Sequence, residues 1–214
     1  MKIEALIISA GYSSRMNDFK PLMKFNGLPF LLNIILKLYR HCEKVHVVTG
    51  YRTEDIEEVL AEWLNRQPAA GFFDSGHLSE KEWFSLKDIV HYIYHPDYDK
   101  GMFSSLQAGL AFCQKADWIL YHFVDQPHIP GSFYDAFTQQ ISTDFNWIQP
   151  CYQQRKAHPL LLHQSLFPVI LRENPSGSLY QISRNPGIKK KMWDCPYPQI
   201  LQNFNSPSDL QPGE

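Results

Sequence analysis

The chain has 214 residues, 44% of them hydrophobic, 14% aromatic and 20% charged, a composition that supports a single α/β domain over residues 1–214 and excludes general disorder. Lysine plus arginine number 20 against 22 acidic residues, so at a net charge of -2 no global positive field exists to hold a nucleic acid or an anionic membrane, and any anion must be bound locally. The four cysteines, Cys42, Cys113, Cys151 and Cys195, form no CxxC pair, which argues against a cysteine-built zinc site or a disulfide scaffold and for buried reduced thiols.

Glu4 interrupts the apolar run Ala5–Ala10 from its amino-terminal side and Arg15 follows it, so this is a poor signal peptide. The run from Leu28 to Tyr39 contains Asn33 and Lys37 and falls short of the roughly 20 residues that cross a bilayer. A cytoplasmic location without membrane partners is expected.

The first element, Lys2 to Ser9, is a nearly continuous apolar run bounded by Ala10-Gly11, as in a strand buried on both faces of a parallel sheet. Pro29 then stands at a first helical turn, with Leu31, Leu32, Ile35, Leu38 and Tyr39 at helical spacing. Lys44 to Thr49 reads as a second strand, and Thr53 opens a helix in which Ile56, Val59, Leu60 and Trp63 share a face. Residues 66–88 form an irregular excursion with a short helix near Glu80 to Leu86. Strand Ile89 to Tyr94, a turn at Asp99-Lys100-Gly101 and a helix from Ser104 to Gln114 come next. A fourth strand, Trp118 to Val124, ends at Asp125. It is followed by a helix from Gly131 to Ile141, extended stretches Asn146–Pro150 and Pro159–Leu162, and a more irregular final third. Strands alternating with crossover helices imply a mostly parallel sheet covered on both faces, with ligands at the carboxyl ends of its strands.

That rule selects three places. The loop Ser9-Ala10-Gly11-Tyr12-Ser13-Ser14-Arg15-Met16, continuing to Lys20, has small residues that let backbone amides approach a polyphosphate and two cations that neutralise it. It is neither a Walker loop nor a GxGxxG fingerprint, and an ordinary surface loop with solvated cations is an equal reading. Gly101-Met102-Phe103-Ser104-Ser105 reads as a turn entering a helix, where either serine caps free amides or the same amides receive an anion or a base edge. Asp125 at a strand mouth suits a hard cation, or else simply starts the turn before Pro127. His122 is expected to be a hydrogen-bonded core residue, and His41, His46, His77 and His91 to be structural or solvated.

The segments SAGYSSRMNDFKPL (9–22), HPDYDKGMFSSLQAGL (95–110), VDQPHIP (124–130), PCYQQRKAHPLLL (150–162) and NFNSPSDL (203–210) together resemble the molybdenum cofactor nucleotidyltransferase family. The nearest likeness is to its cytidylyltransferases, with molybdopterin-guanine dinucleotide synthases as relatives. The resemblance implies a three-layer, Rossmann-like, mostly parallel sheet of the nucleotide-diphospho-sugar transferase type. It further implies Mg²⁺-dependent transfer of a nucleoside monophosphate, CMP before GMP, from CTP or GTP to a phosphorylated acceptor, the molybdopterin cofactor first among candidates. A molybdoenzyme or its chaperone is then a possible partner. On this resemblance Ser9, Ala10, Gly11, Ser13, Ser14, Gly101, Ser104 and Ser105 bind the nucleotide. Arg15 and Lys20 sit on its phosphates. Asp125 and Asn205 hold the metal, and Arg155, Lys156 and His158 face the acceptor.

The chain departs from the family pattern at Asn17, at His95 and at Ala157, positions usually held by Gly, Asn and Gly. These bear in turn on the phosphate loop, the base and the acceptor. Ala10 stands where guanine-selecting relatives carry Gly, and its methyl is expected to narrow the space beside the base in favour of a pyrimidine. Two other readings share much of this apparatus: a sugar- or polyol-phosphate nucleotidyltransferase, and a non-catalytic molybdenum cofactor carrier.

Overall fold

The computed structural model describes residues 1–13, 18–66, 78–206 and 209. Strand β1 (Ile3–Ile8) is buried along its whole length. After a small hairpin of β2 (Lys24–Phe25) and β3 (Leu28–Pro29), helix α1 (Phe30–Leu38) returns the chain to β4 (Lys44–Thr49), which pairs parallel to β1. Helices α2 (Thr53–Asn65) and α3 (Glu80–Ile89) lead to β5 (Val90–Tyr94), parallel to β4, and α4 (Met102–Leu110) crosses back to β6 (Trp118–Phe123), parallel to β1 on its other side. Helix α5 (Gly131–Thr138) precedes β7 (Trp147–Tyr152), β8 (Arg155–Lys156) and β9 (Leu160–His163). The chain ends with α6 (Phe167–Arg172), α7 (Leu179–Ser183) and β10 (Lys190–Asp194).

The sheet order is β10-β7-β9-β6-β1-β4-β5, with β8 added to β7. Only β9 and the short β8 run against the others. Because successive side chains of a strand point to opposite faces, β1 divides its residues between two cores. Ile3, Ala5 and Ile7 join the cluster built with α1, α2, α3 and α5, while Leu6 and Ile8 join the one under α4, α6 and α7. The result is three layers, helix on sheet on helix, as expected.

Several details differ from the expected pattern. Helix α4 begins at Met102, two residues before Ser104, because Gly101 takes φ 103°, a conformation that only glycine adopts cheaply, and itself becomes the N-cap. Ser104 and Ser105 therefore lie inside the first turns and cap nothing; both hydroxyls donate to the Gly101 carbonyl, at 2.8 and 3.4 Å. The final third is more regular than its mixed composition suggests, since β10 pairs parallel to β7 from Lys190–Trp147 to Asp194–Cys151. The hairpin of β2 and β3 and the short β8 were not expected, and residues 67–77 of the irregular excursion, His77 among them, lie outside the described residues. The other elements differ at their ends: α3 runs on to Ile89, while α4 and α5 stop at Leu110 and Thr138. His122 is a fully buried core residue, as expected, bonded to the Tyr134 hydroxyl at 2.7 Å. All four cysteines are free and buried. Among the described residues no helix is long and apolar enough to cross a membrane.

Helix α4 lies so close to the sheet that a Cβ at Gly109 would meet Leu6 Cδ1 at 2.3 Å and Val48 Cγ2 at 2.9 Å. Gly109→Ala is expected to lower stability by about 1–3 kcal/mol through overpacking, read as a reduced urea midpoint with an unchanged m-value.

Candidate active site

Strands β1 and β6 lie side by side and in the same direction, so their carboxyl ends release two segments at one place. The Val124 amide still bonds to the Ile8 carbonyl at 3.3 Å, while on the β4 side the Ser9 amide bonds to Val48 at 2.9 Å and the Tyr51 amide to the Ala10 carbonyl at 3.1 Å. A cleft of about 280 Å³ opens there, just below the usual range of small-molecule pockets of roughly 300–1,000 Å³. Ser9, Gly11, Ser13, Lys20, Asp125 and Met102 line it.

Lys20 is held from both sides. Phe19 and Pro21 are buried around it, Phe19 edge-on to Tyr51 and under the Arg52 guanidinium, and the Lys20 amide donates to the Ser13 hydroxyl at 3.2 Å. Its ammonium lies 2.9 Å from Asn205 Oδ1 and 3.9 Å from Asp125 Oδ2. Three residues distant in sequence thus meet at one point. Burial pushes the Asp125 carboxyl above the usual aspartate range, with Lys20 partly opposing that shift. Asp125 Oδ1 is buried without any hydrogen-bond partner, and so is Ser9 Oγ.

Asn205 comes from a tail that crosses in front of the sheet after β10. Asp125 itself holds that tail, its carbonyl accepting the Phe204 amide at 2.9 Å. Gln126, 2% exposed, donates to the Ile200 and Gln202 carbonyls, and His128 bonds to Gln199 at 3.0 Å. The Phe204 ring packs against His128, Phe25 and Phe30. Asp209 then accepts the Asn205 and Ser206 amides, both at 2.8 Å, which closes the turn. Behind the loop, burial brings the Lys37 ammonium down to about 8, and Lys37 donates to the Pro127 carbonyl.

The other expected site residues divide. Ser14 and Arg15 lie outside the described residues. Ala10 is buried and belongs to the same apolar cluster as Ile8, Phe103 and Leu106. Gly101 sets the entry to α4, while Ser104 and Ser105 are buried and occupied with its carbonyl; His95, the departure from Asn, bonds to the Ser104 hydroxyl at 3.0 Å. Because β9 is antiparallel to both β6 and β7, His158 at its start and the exposed Arg155 and Lys156 beyond β7 reach the same sheet edge as Asp125. The His158 ring packs on Phe123, which lines the cleft, at 4.5 Å. Burial drives its imidazole down to about 4, so at neutral pH it offers a hydrogen bond and no charge.

Two kinds of residue escaped the sequence reading. Met102, 64% exposed on the cleft, was marked only by the glycine before it. Gln126 and His128, which fasten the tail, stood in the quoted VDQPHIP segment but carry no chemistry of their own.

The sequence profile of the MobA-like NTP transferase domain matches residues 5–188. The chain belongs to that family. It is a nucleotidyltransferase, and the matched range contains Lys20, Asp125 and His158 while leaving Asn205 outside. Over 174 residues it is 25% identical to the molybdenum cofactor cytidylyltransferase of Escherichia coli (strain K12), covering 80% of this chain and 76% of that one. Its fold is similar to a nucleotidyl transferase from Methanothermobacter thermautotroptrophicus, with a TM-score of 0.73 at 19% identity over 97% of this chain and 94% of the other. It is also similar to the inositol-1-phosphate CTP transferase from T. maritima, with a TM-score of 0.67 at 12% identity over 97% and 91%. The MobA-like chain therefore has the nucleotide-diphospho-sugar transferase type of fold.

Gln126→Ala leaves two carbonyls of the tail without their donor. It is expected to cost about 1–3 kcal/mol in urea unfolding and to speed proteolysis between residues 199 and 206.

Proposed function

We propose that the protein is a Mg²⁺-dependent cytidylyltransferase of the cytoplasm that moves CMP from CTP to the phosphate of the molybdenum cofactor. The meeting of Lys20, Asp125 and Asn205 beside the Ser9–Ser13 loop carries the reading, since this is a place for a polyphosphate and its cation. The preference for CTP and the choice of acceptor rest on the cytidylyltransferase relative.

The buried, unpartnered carboxylate oxygen of Asp125, a residue that lines the cleft, and the nearby Asn205 amide oxygen are hard donors, which suit Mg²⁺. Asp125 and Asn205 would hold the ion, which when bound neutralises phosphate charge as a Lewis acid. An oxygen of the acceptor phosphate attacks the α-phosphorus, the bond to the β-phosphate bridging oxygen breaks, and pyrophosphate leaves. The acceptor is already anionic at neutral pH, so no general base is required. Loop amides after β1 orient the triphosphate, and the Lys20 ammonium balances the charge that grows on the leaving group. Arg15 shares that task, while Arg155 and Lys156 at the same rim attract the acceptor phosphate.

Lys20→Ala is expected to lower kcat by about 100- to 1,000-fold, as for loss of a preorganised transition-state donor. A rise in KM alone would reduce Lys20 to uniform substrate binding. Asp125→Ala should abolish pyrophosphate release with its circular dichroism unchanged. CTP should outcompete GTP by more than about tenfold in pyrophosphate release with molybdenum cofactor as acceptor; equal turnover of a sugar phosphate would move the protein to the sugar-phosphate class.

The pH dependence has a definite sign. Protonated Asp125 cannot ligate a cation, and its carboxyl is raised from 3.8, so Mn²⁺ affinity measured by titration should fall on acidification sooner than an exposed aspartate would allow. Asp125→Asn should bind weakly and show no such slope.

A further inference from the structure

At the opposite end of β1 from the nucleotide cleft the core contains a row of polar side chains. Glu4 is 5% exposed, His46 on β4 is 5% exposed, and Cys113, just beyond α4, is fully buried. His46 Nε2 and Glu4 Oε2 are 2.8 Å apart, and one donor atom from each of the three residues lies within 4.8 Å of the other two. His91, the register partner of His46 on β5, stacks on it at 5.5 Å between ring centroids. His46 Nδ1 and His91 Nε2 are both buried without a hydrogen-bond partner.

We propose that Glu4, His46 and Cys113 form a structural site for a borderline divalent transition ion, with zinc as the first candidate. Carboxylate, imidazole and thiolate together fit zinc and its first-row neighbours, whereas Mg²⁺ takes oxygen ligands. Donors around a tetrahedral zinc stand roughly 3.3–3.8 Å apart, between the 2.8 Å of the Glu4–His46 contact and the 4.8 Å span of the cluster, so loading requires side-chain shifts on the order of 1 Å.

The donor set also balances a divalent charge. A divalent ion with one carboxylate and one thiolate is neutral overall, and the thiol proton leaves to solvent as the metal binds. Such an ion would join β1, β4 and the end of α4, the helix whose other end borders the cleft.

The test uses the full chain expressed in zinc-supplemented medium, desalted in the presence of a chelator and assayed for metal by mass spectrometry. Chain from cobalt-supplemented medium is examined for a thiolate-to-cobalt charge-transfer band. Expected are about one zinc per chain, the cobalt band, and a higher melting temperature for the zinc-loaded form than for the metal-free form. Cys113→Ala should lose all three, while the triple variant Cys42→Ala, Cys151→Ala and Cys195→Ala should keep them. A wild-type chain without zinc and without the band overturns the site, as does a Cys113→Ala chain that retains both. Should the triple variant not fold, the wild-type band and its loss in Cys113→Ala still decide.

Discussion

A carboxylate held out of water at the end of β6 is the constraint around which the front of this molecule is organised. Asp125 loses hydration to the surrounding loops, and the Lys20 ammonium at 3.9 Å offsets only part of that loss. The folded chain therefore holds this proton more tightly than the unfolded chain does. Its ionisation costs stability as pH rises from the ordinary aspartate range through the raised one, and that cost persists at neutral pH. Such a group weakens the fold in the resting state, and stability is commonly given up at functional sites.

The cost is tolerable because Lys20, which faces Asp125, and Asn205, to which Lys20 donates, are positioned by apolar packing rather than by the charge itself. Phe19 and Pro21 seat Lys20, and Phe204 seats Asn205 against Phe25, Phe30 and His128. Gln126 and His128 close the connection by donating to carbonyls of the tail, so each turn of the loop after β6 either faces the cleft or holds the segment that faces it. Asn205 lies beyond the range shared with the MobA-like profile, yet it is bonded to Lys20, which lies within that range.

Strand β1 joins two different chemistries in six residues. Its carboxyl end opens into the small-residue loop that lines the cleft, and its amino end places Glu4 in a dry core beside His46 and Cys113. Both features arise because a central parallel strand is buried on both faces, where a polar side chain has no route to water and must find a partner within the protein.

Local sequence determined a great deal: the unbroken apolar runs of β1, β4 and β6, the helical spacing after Pro29 and Thr53, and the small-residue loop after β1 are all properties of neighbouring residues. The spaced motifs likewise marked Lys20, Asp125 and Asn205. What the sequence could not contain was distance. That α4 starts at Met102 with Gly101 as its cap, that Ala10 is buried, that β10 pairs with β7, and that His158 is neutral against Phe123 are consequences of packing between segments far apart in the chain. Glu4, His46 and Cys113 show this most clearly, being unremarkable separately and adjacent only once three elements have packed, because side-chain proximity and loss of solvent are properties of the folded interior and of no single stretch of residues.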